Sequence, residues 1–260
     1  MDALIVRHSC MGDIICAEPV ARLMKKLYES VSFDAGPYAE IFENHPDLTD
    51  ISLLKEHQIF DLTHVYERKL SIPIIQAYLE EFGRSASDEE RKPQLFVTDS
   101  ERRWGKMMLP GRWAIIDLGY PGGALQRGFW EFDCWKPLCE FVRSKGFNIL
   151  YIGGGLHAGI KTLYIPIDQS FIDLDMRGLT TIRQLFSLIA NCSLFFGVDS
   201  GPMHIAQAFG VPGVAIFKHT HPSHLILNTN SSILPVHAVD GDPFPKEGML
   251  THLHTLLDKP

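Results

Sequence analysis

Short apolar runs alternate with helical apolar spacing along nearly all of the 260-residue chain. Ala3 to Val6 is apolar and bounded by polar residues, as a buried strand would be. After the Met11-Gly12-Asp13 turn, Val20, Leu23, Met24 and Leu27 recur at helical spacing and predict one apolar helix face. Pro19 has no N–H, so the regular helix is expected to start just before it or to kink there. Residues 31–33, 51–54 and 60–65 read as further strands, and residues 38–43 and 72–82 as helices.

The pattern sharpens in the second half. Residues 113–118 read as a strand, followed by a Gly/Pro-rich loop and a helix with Trp135, Leu138, Cys139 and Val142 on one face. Gly146 stands where a glycine commonly ends a helix. A strand over 147–152 runs into Gly153-Gly154-Gly155, and another is expected over 163–167. Thr180 or Thr181 can cap a helix carrying Ile182, Leu185, Phe186 and Ile189. Strand 194–198, a turn, helix 202–209 and strand 214–217 complete the series. Such alternation implies parallel sheets with helices on both faces. Residues 85–103 turn polar and lead to Pro110-Gly111, so a boundary is expected near 100–112, between domains spanning 1–105 and 106–260.

Composition narrows the function classes. A hydrophobic share of 45% with 21% charged residues disfavours disordered, collagen-like and coiled-coil classes. The formal charge is -7 and no Lys/Arg run exceeds two residues, so no nucleic-acid partner is expected. Cys10, Cys16, Cys134, Cys139 and Cys192 are odd in number and form no CxxC pair, which points to reduced thiols in a cytoplasmic protein without a zinc ribbon. The N-terminal apolar run is too short for a signal sequence, and nothing approaches the ~20 apolar residues of a membrane span. A lipid-linked substrate would be met from outside the membrane, by peripheral association at most.

Four segments carry candidate chemistry. In Phe196-Gly197-Val198-Asp199-Ser200-Gly201-Pro202-Met203-His204 a buried strand enters a tight turn and then a helix with proline at its start. Free N–H groups and the helix dipole suit that end to a diphosphate. Gly201 permits close approach, and Ser200 and His204 can donate to phosphate or sugar oxygens. The plainer alternative is an Asp cap on an ordinary Rossmann helix. Arg7 to Asp13 is a second strand-to-helix turn, where Asp13 is either a general base or a helix cap. Gly119-Tyr120-Pro121-Gly122-Gly123, with Arg127 downstream, is either a diphosphate loop or an ordinary surface loop. Lys218-His219-Thr220-His221-Pro222-Ser223-His224 gathers imidazoles, but no nearby carboxylate or cysteine completes a shell, so no metal is expected; Lys218 at a strand end suits phosphate better.

Taken together, these segments resemble glycosyltransferase family 9, the heptosyltransferase-like enzymes of bacterial surface-polysaccharide assembly. Ile5-Val6-Arg7 through Gly12-Asp13 is similar to the family's opening strand and Ser-x-x-Gly-Asp turn, here with Ser9 and Gly12. Phe60-Asp61-Leu62, Arg127 to Trp130 with Trp135, and Arg177-Gly178 to Leu185 resemble further family segments. Val198 to His204, with Ala206, Ala208, Gly210 and Pro212, is the most specific match.

The resemblance implies a GT-B architecture: two Rossmann-like α/β domains facing across a cleft, the N-terminal one reduced. It implies inverting, metal-independent transfer of heptose or a related sugar, without a cofactor. The donor would be a nucleotide sugar, perhaps ADP-linked, and the acceptor a glycan or glycolipid of lipopolysaccharide type. Asp13 would be the base. Asp199, Ser200, Gly201, Pro202, Met203 and His204 would line the donor, with Arg127 and Lys218 assisting. Ser9, Gly12, Gly153, Gly154 and Thr180 are further candidates. Lys218-His219-Thr220-His221-Pro222 departs from the family's usual Gly-Pro-Thr-Asp-Pro, and Leu179 from a common lysine. A nucleotide-sugar epimerase and a degenerate transferase acting as a binding module are the alternatives.

Overall fold

The computed structural model describes residues 1–69, 71–119, 131–153, 167–218, 220–225, 231–239 and 243–258. The chain forms two compact units, Met1–Thr98 with Ser223–Asn230, and Asp99–Pro222 with Ser231–Pro260.

The first unit has a three-stranded parallel sheet in the order β2-β1-β3, built from Asp2–Val6 (β1), Val31–Asp34 (β2) and His57–Asp61 (β3). Helix α1 (Met11–Met24) and helix α2 (Ile74–Glu80) pack together beside it. Ala3 and Ile5 are fully buried, whereas β3 is an exposed edge with Ile59 61% accessible.

Three expectations are corrected here. Helix α1 begins well before Pro19 and runs through it, and its buried face is Ile14 to Ala21 plus Met24; Leu27 is exposed. The apolar run at 51–54 forms a 3₁₀ turn, Ile51–Leu53, because Asp50 caps it by accepting from the Ser52 N–H; Ile51 and Leu53 face solvent. Strand β3 starts earlier and ends at Asp61, whose side chain accepts from the Thr63 N–H and turns the chain.

The second unit holds a six-stranded sheet in the order β6-β5-β4-β7-β8-β9, parallel throughout. Its strands are Trp113–Asp117 (β4), Asn148–Ile152 (β5), Leu174–Asp175 (β6), Leu194–Val198 (β7), Gly213–Phe217 (β8) and Ile233–His237 (β9). Numbered within the unit, this is the 3-2-1-4-5-6 order of a Rossmann fold, with its topological switch between β4 and β7. Strands β4, β7 and β8 are buried along their whole length, which explains their unbroken apolar runs.

The helices of this unit are α3 (Asp99–Met108), α4 (Phe132–Ser144), α5 (Ile182–Asn191), α6 (Gly201–Ala208) and α8 (Lys246–Leu257), whereas α7 (Pro222–Leu225) falls almost wholly in the first unit. Trp135, Leu138, Cys139 and Val142 of α4 are fully buried, as their spacing predicts. Thr181 caps α5 in a capping box with Gln184. Helix α3 occupies the polar stretch that reads as a boundary. It packs on α5, where Arg183 grips Glu101 with two 2.8 Å hydrogen bonds and Ser187 donates to the Glu101 carbonyl. The strand expected at 163–167 lies almost wholly outside the described residues.

Candidate functional site

In the second unit the chemistry gathers where the switch point requires it, at the carboxyl ends of β4, β5 and β7. Asp117 ends β4 and is 1% exposed. Its carboxylate accepts from Ser200 Oγ at 2.6 Å and from the Gly119 N–H at 2.9 Å. Burial holds Asp117 above the usual carboxylate range, against the pull of those two hydrogen bonds. At the end of β5, Gly153 adopts φ 123°, and a Cβ there would lie 3.0 Å from Asp117 Oδ1. Only glycine meets both demands comfortably.

Helix α6 starts at the end of β7. Ser200 is its N-cap with no side-chain cap hydrogen bond, and Pro202 lies in the first turn. Asp199 and His204 are buried, with Nε2 of His204 4.0 Å from Asp199 Oδ1. Met203, in the first turn of this helix, is fully buried. The Ser200 hydroxyl donates to Asp117, which leaves its oxygen as an acceptor in this arrangement. Lys218 follows β8 directly and Thr180 precedes the α5 cap; both are half-buried. Arg127 and Gly154 lie outside the described residues.

Sequence reasoning passed over Asp117, because one aspartate after an apolar run is unremarkable until its neighbours are known. In the sequence, Arg177 stands out only through its place in a segment that resembles the family. In the structure it binds Asp175 through Nε at 2.8 Å, with its guanidinium 4.4 Å from the centre of the Tyr151 ring. The next residue, Gly178, donates its N–H to the Gly153 carbonyl at 3.1 Å.

In the first unit β1 is the central strand, and Arg7 follows it. Ser9, exposed in the turn to α1, takes φ 88°, a left-handed conformation that costs a non-glycine residue of order 1 kcal/mol or more. The N-cap of α1 is Cys10, so Gly12 and Asp13 lie within the first turn rather than at the cap. Asp13 pairs with Arg7: Arg7 Nη2 is 2.7 Å from Asp13 Oδ2. Arg7 has no exposed side-chain surface, and it also donates to Glu67 Oε1 at 3.0 Å and to the Tyr78 hydroxyl at 2.9 Å. Burial opposes its charge, but Tyr78, Asp13 and Glu67 outweigh that and raise its affinity for the proton. The sequence alone ties Arg7 to none of these partners, which lie up to 71 positions away.

Among the described residues, no group of three or more His, Cys, Asp or Glu side chains is placed to hold a metal ion, and no helix is long and apolar enough to cross a membrane.

Residues 121–237 match the sequence model of glycosyltransferase family 9 (heptosyltransferase). Lipooligosaccharide heptosyltransferase 2 of Campylobacter jejuni serotype O:2 is 27% identical over 168 residues, 64% of this chain and 48% of that protein. The chain matches 48% or less of the length of its curated relatives. Among solved structures, a glycosyltransferase family 9 protein from Veillonella parvula superposes with TM-score 0.77 at 12% identity, covering 100% of this chain and 98% of the other. The ADP-heptose lipopolysaccharide heptosyltransferase II of Escherichia coli gives 0.64 at 15% identity, covering 99% and 98%. The chain is thus similar in sequence to heptosyltransferases, its residues 121–237 match the model of glycosyltransferase family 9, and its fold is the one seen in solved members of that family.

Proposed function

We propose that the chain is an inverting, metal-independent glycosyltransferase that moves heptose or a related sugar from an ADP-linked donor to a lipopolysaccharide-type acceptor. The second unit binds the donor. Its diphosphate rests on the amino end of α6, where backbone N–H groups and the helix dipole meet negative charge. Gly119 and Gly153 keep the crevice floor low beside it. Asp199 and His204 support the helix start from beneath, and Lys218 and Arg127 add positive charge. As the glycosidic bond to the diphosphate breaks, these donors receive the charge that develops on the leaving nucleoside diphosphate.

The first unit supplies the base. Asp13 takes the proton from the acceptor hydroxyl as that oxygen attacks the anomeric carbon, and the configuration inverts in this single displacement. Pairing with the planar Arg7 guanidinium fixes the orientation of the Asp13 carboxylate for that transfer.

The observation that carries this reading is the convergence of Gly119, Gly153, Asp117 and the α6 terminus at the switch point of a 3-2-1-4-5-6 sheet. The test is ADP release from ADP-heptose in the presence of heptose-deficient lipooligosaccharide. Wild-type chain should turn over. Asp13→Asn should lose about 10²–10⁴-fold in kcat while its Kd for ADP stays within twofold. Turnover above a tenth of wild type in Asp13→Asn would remove Asp13 from the base role.

A further inference from the structure

The Arg7 cluster holds one carboxylate more than the proposed chemistry uses. A single nitrogen, Nη2 of Arg7, donates to Asp13 Oδ2 at 2.7 Å and to Glu67 Oε1 at 3.0 Å. Two oxygens that share one donor nitrogen lie within about 6 Å of each other, by the lengths of the two hydrogen bonds. Glu67 sits on the 3₁₀ turn Tyr66–Arg68, beyond β3, and is 43% exposed. Arg7 is anchored from the other side by the buried Tyr78 hydroxyl, so its guanidinium has little freedom to follow either acid.

A base tied to a buried guanidinium is well oriented and weak. The arginine stabilises the carboxylate and opposes its protonation by the acceptor. A second carboxylate on the same nitrogen works the other way: it draws on the same positive charge and repels the negative charge on Asp13. We propose that Glu67 is a positioning residue for the transfer reaction, sharing Arg7 with Asp13 so that the base is held in place without the whole guanidinium charge acting on it. This rests on Asp13 being the base. Among the described residues, other charged or titratable groups close to the cluster include His8, which pairs with Asp34 at 3.1 Å, His64, whose Nδ1 is 3.9 Å from Glu67 Oε1, Asp61, which interacts with both Arg7 and His8, and Cys16, which interacts with Tyr78.

Glu67→Gln is the informative variant, because a part-exposed side chain leaves the buried Arg7–Tyr78 contact in place. Carboxyl carbon NMR of chain labelled at aspartate, with Asp13 identified by loss of its signal in Asp13→Asn, follows this carboxyl without any substrate. Glu67→Gln should move the Asp13 titration midpoint down by about one pH unit. The acid limb of kcat/KM for ADP-heptose should move the same way, with kcat falling more than the Kd for ADP changes. Glu67→Asp should restore part of both. An unmoved Asp13 midpoint in a folded Glu67→Gln chain would overturn the proposal. A shifted midpoint with full turnover in Asp13→Asn would instead sink the base assignment and leave the electrostatic coupling standing.

Discussion

At the scale of single residues, the two units use aspartate in opposite ways. Asp13 is paired at 2.7 Å with a buried arginine. Asp117 is buried with only neutral donors, Ser200 and the Gly119 N–H, among its hydrogen-bond partners in the described residues, and its affinity for a proton rises. The sign for stability follows. A carboxyl held above its ordinary value keeps a proton in the folded chain that the unfolded chain has released, so its contribution to stability falls as pH rises from about 4 upward. Asp117→Asn removes that titration. Its stability relative to wild type should therefore improve as pH rises from about 4 in urea unfolding, and level off once the folded carboxyl has itself ionised. A constant difference over that range would mean that Asp117 is not held high. Ser9 and Asp13 stood out in the sequence by their place in a turn. Asp117 did not, since its character comes from the depth of the strand that carries it.

At the scale of elements, helix α3 shows where pattern reading stops. Its sequence, DSERRWGKMM, is polar, and only Gly105 in it is buried. Amphipathic spacing is a signal of apolar burial, and α3 docks through hydrogen bonds and a backbone approach instead. A Cβ on Gly105 would press into the Ser187 carbonyl and lie 2.6 Å from Asn191 Nδ2. Gly to Ala inside a helix ordinarily stabilises by roughly 0.5–1 kcal/mol. Here the sign should reverse, with Gly105→Ala destabilising the chain by about 1–3 kcal/mol in denaturant unfolding as α3 is forced off α5. A stabilised variant would show that the α3–α5 contact is looser than the structure has it. Helix α4 is the opposite case. Its buried stripe of Trp135, Leu138, Cys139 and Val142 reads directly from spacing, because burial and periodicity there are the same fact.

At the scale of the whole molecule, a two-unit chain invites the question of which unit carries the nucleotide. We expect ADP at ~100 times its Kd to stabilise the chain by about 2.7 kcal/mol, against a smaller effect from UDP, GDP or CMP at equal concentration. The melting temperature of the second unit should rise, and amide exchange should slow at 199–204 and near Gly119 and Gly153. Exchange protection confined to residues 1–98 would refute donor binding at the α6 terminus.

The sequence by itself determined the parallel α/β class, most strands and helices of the second unit, and the positions of the two strand-to-helix turns. Apolar runs and glycine placement are local consequences of burial, and a single chain records them. Tertiary structure alone decided the partners: that Asp13 pairs with Arg7, that Ser200 is turned toward Asp117, and that a polar stretch becomes α3. Each of these depends on which distant side chain a fold brings within about 3 Å, and hydrogen bonds and ion pairs of that kind leave no periodic trace along the chain.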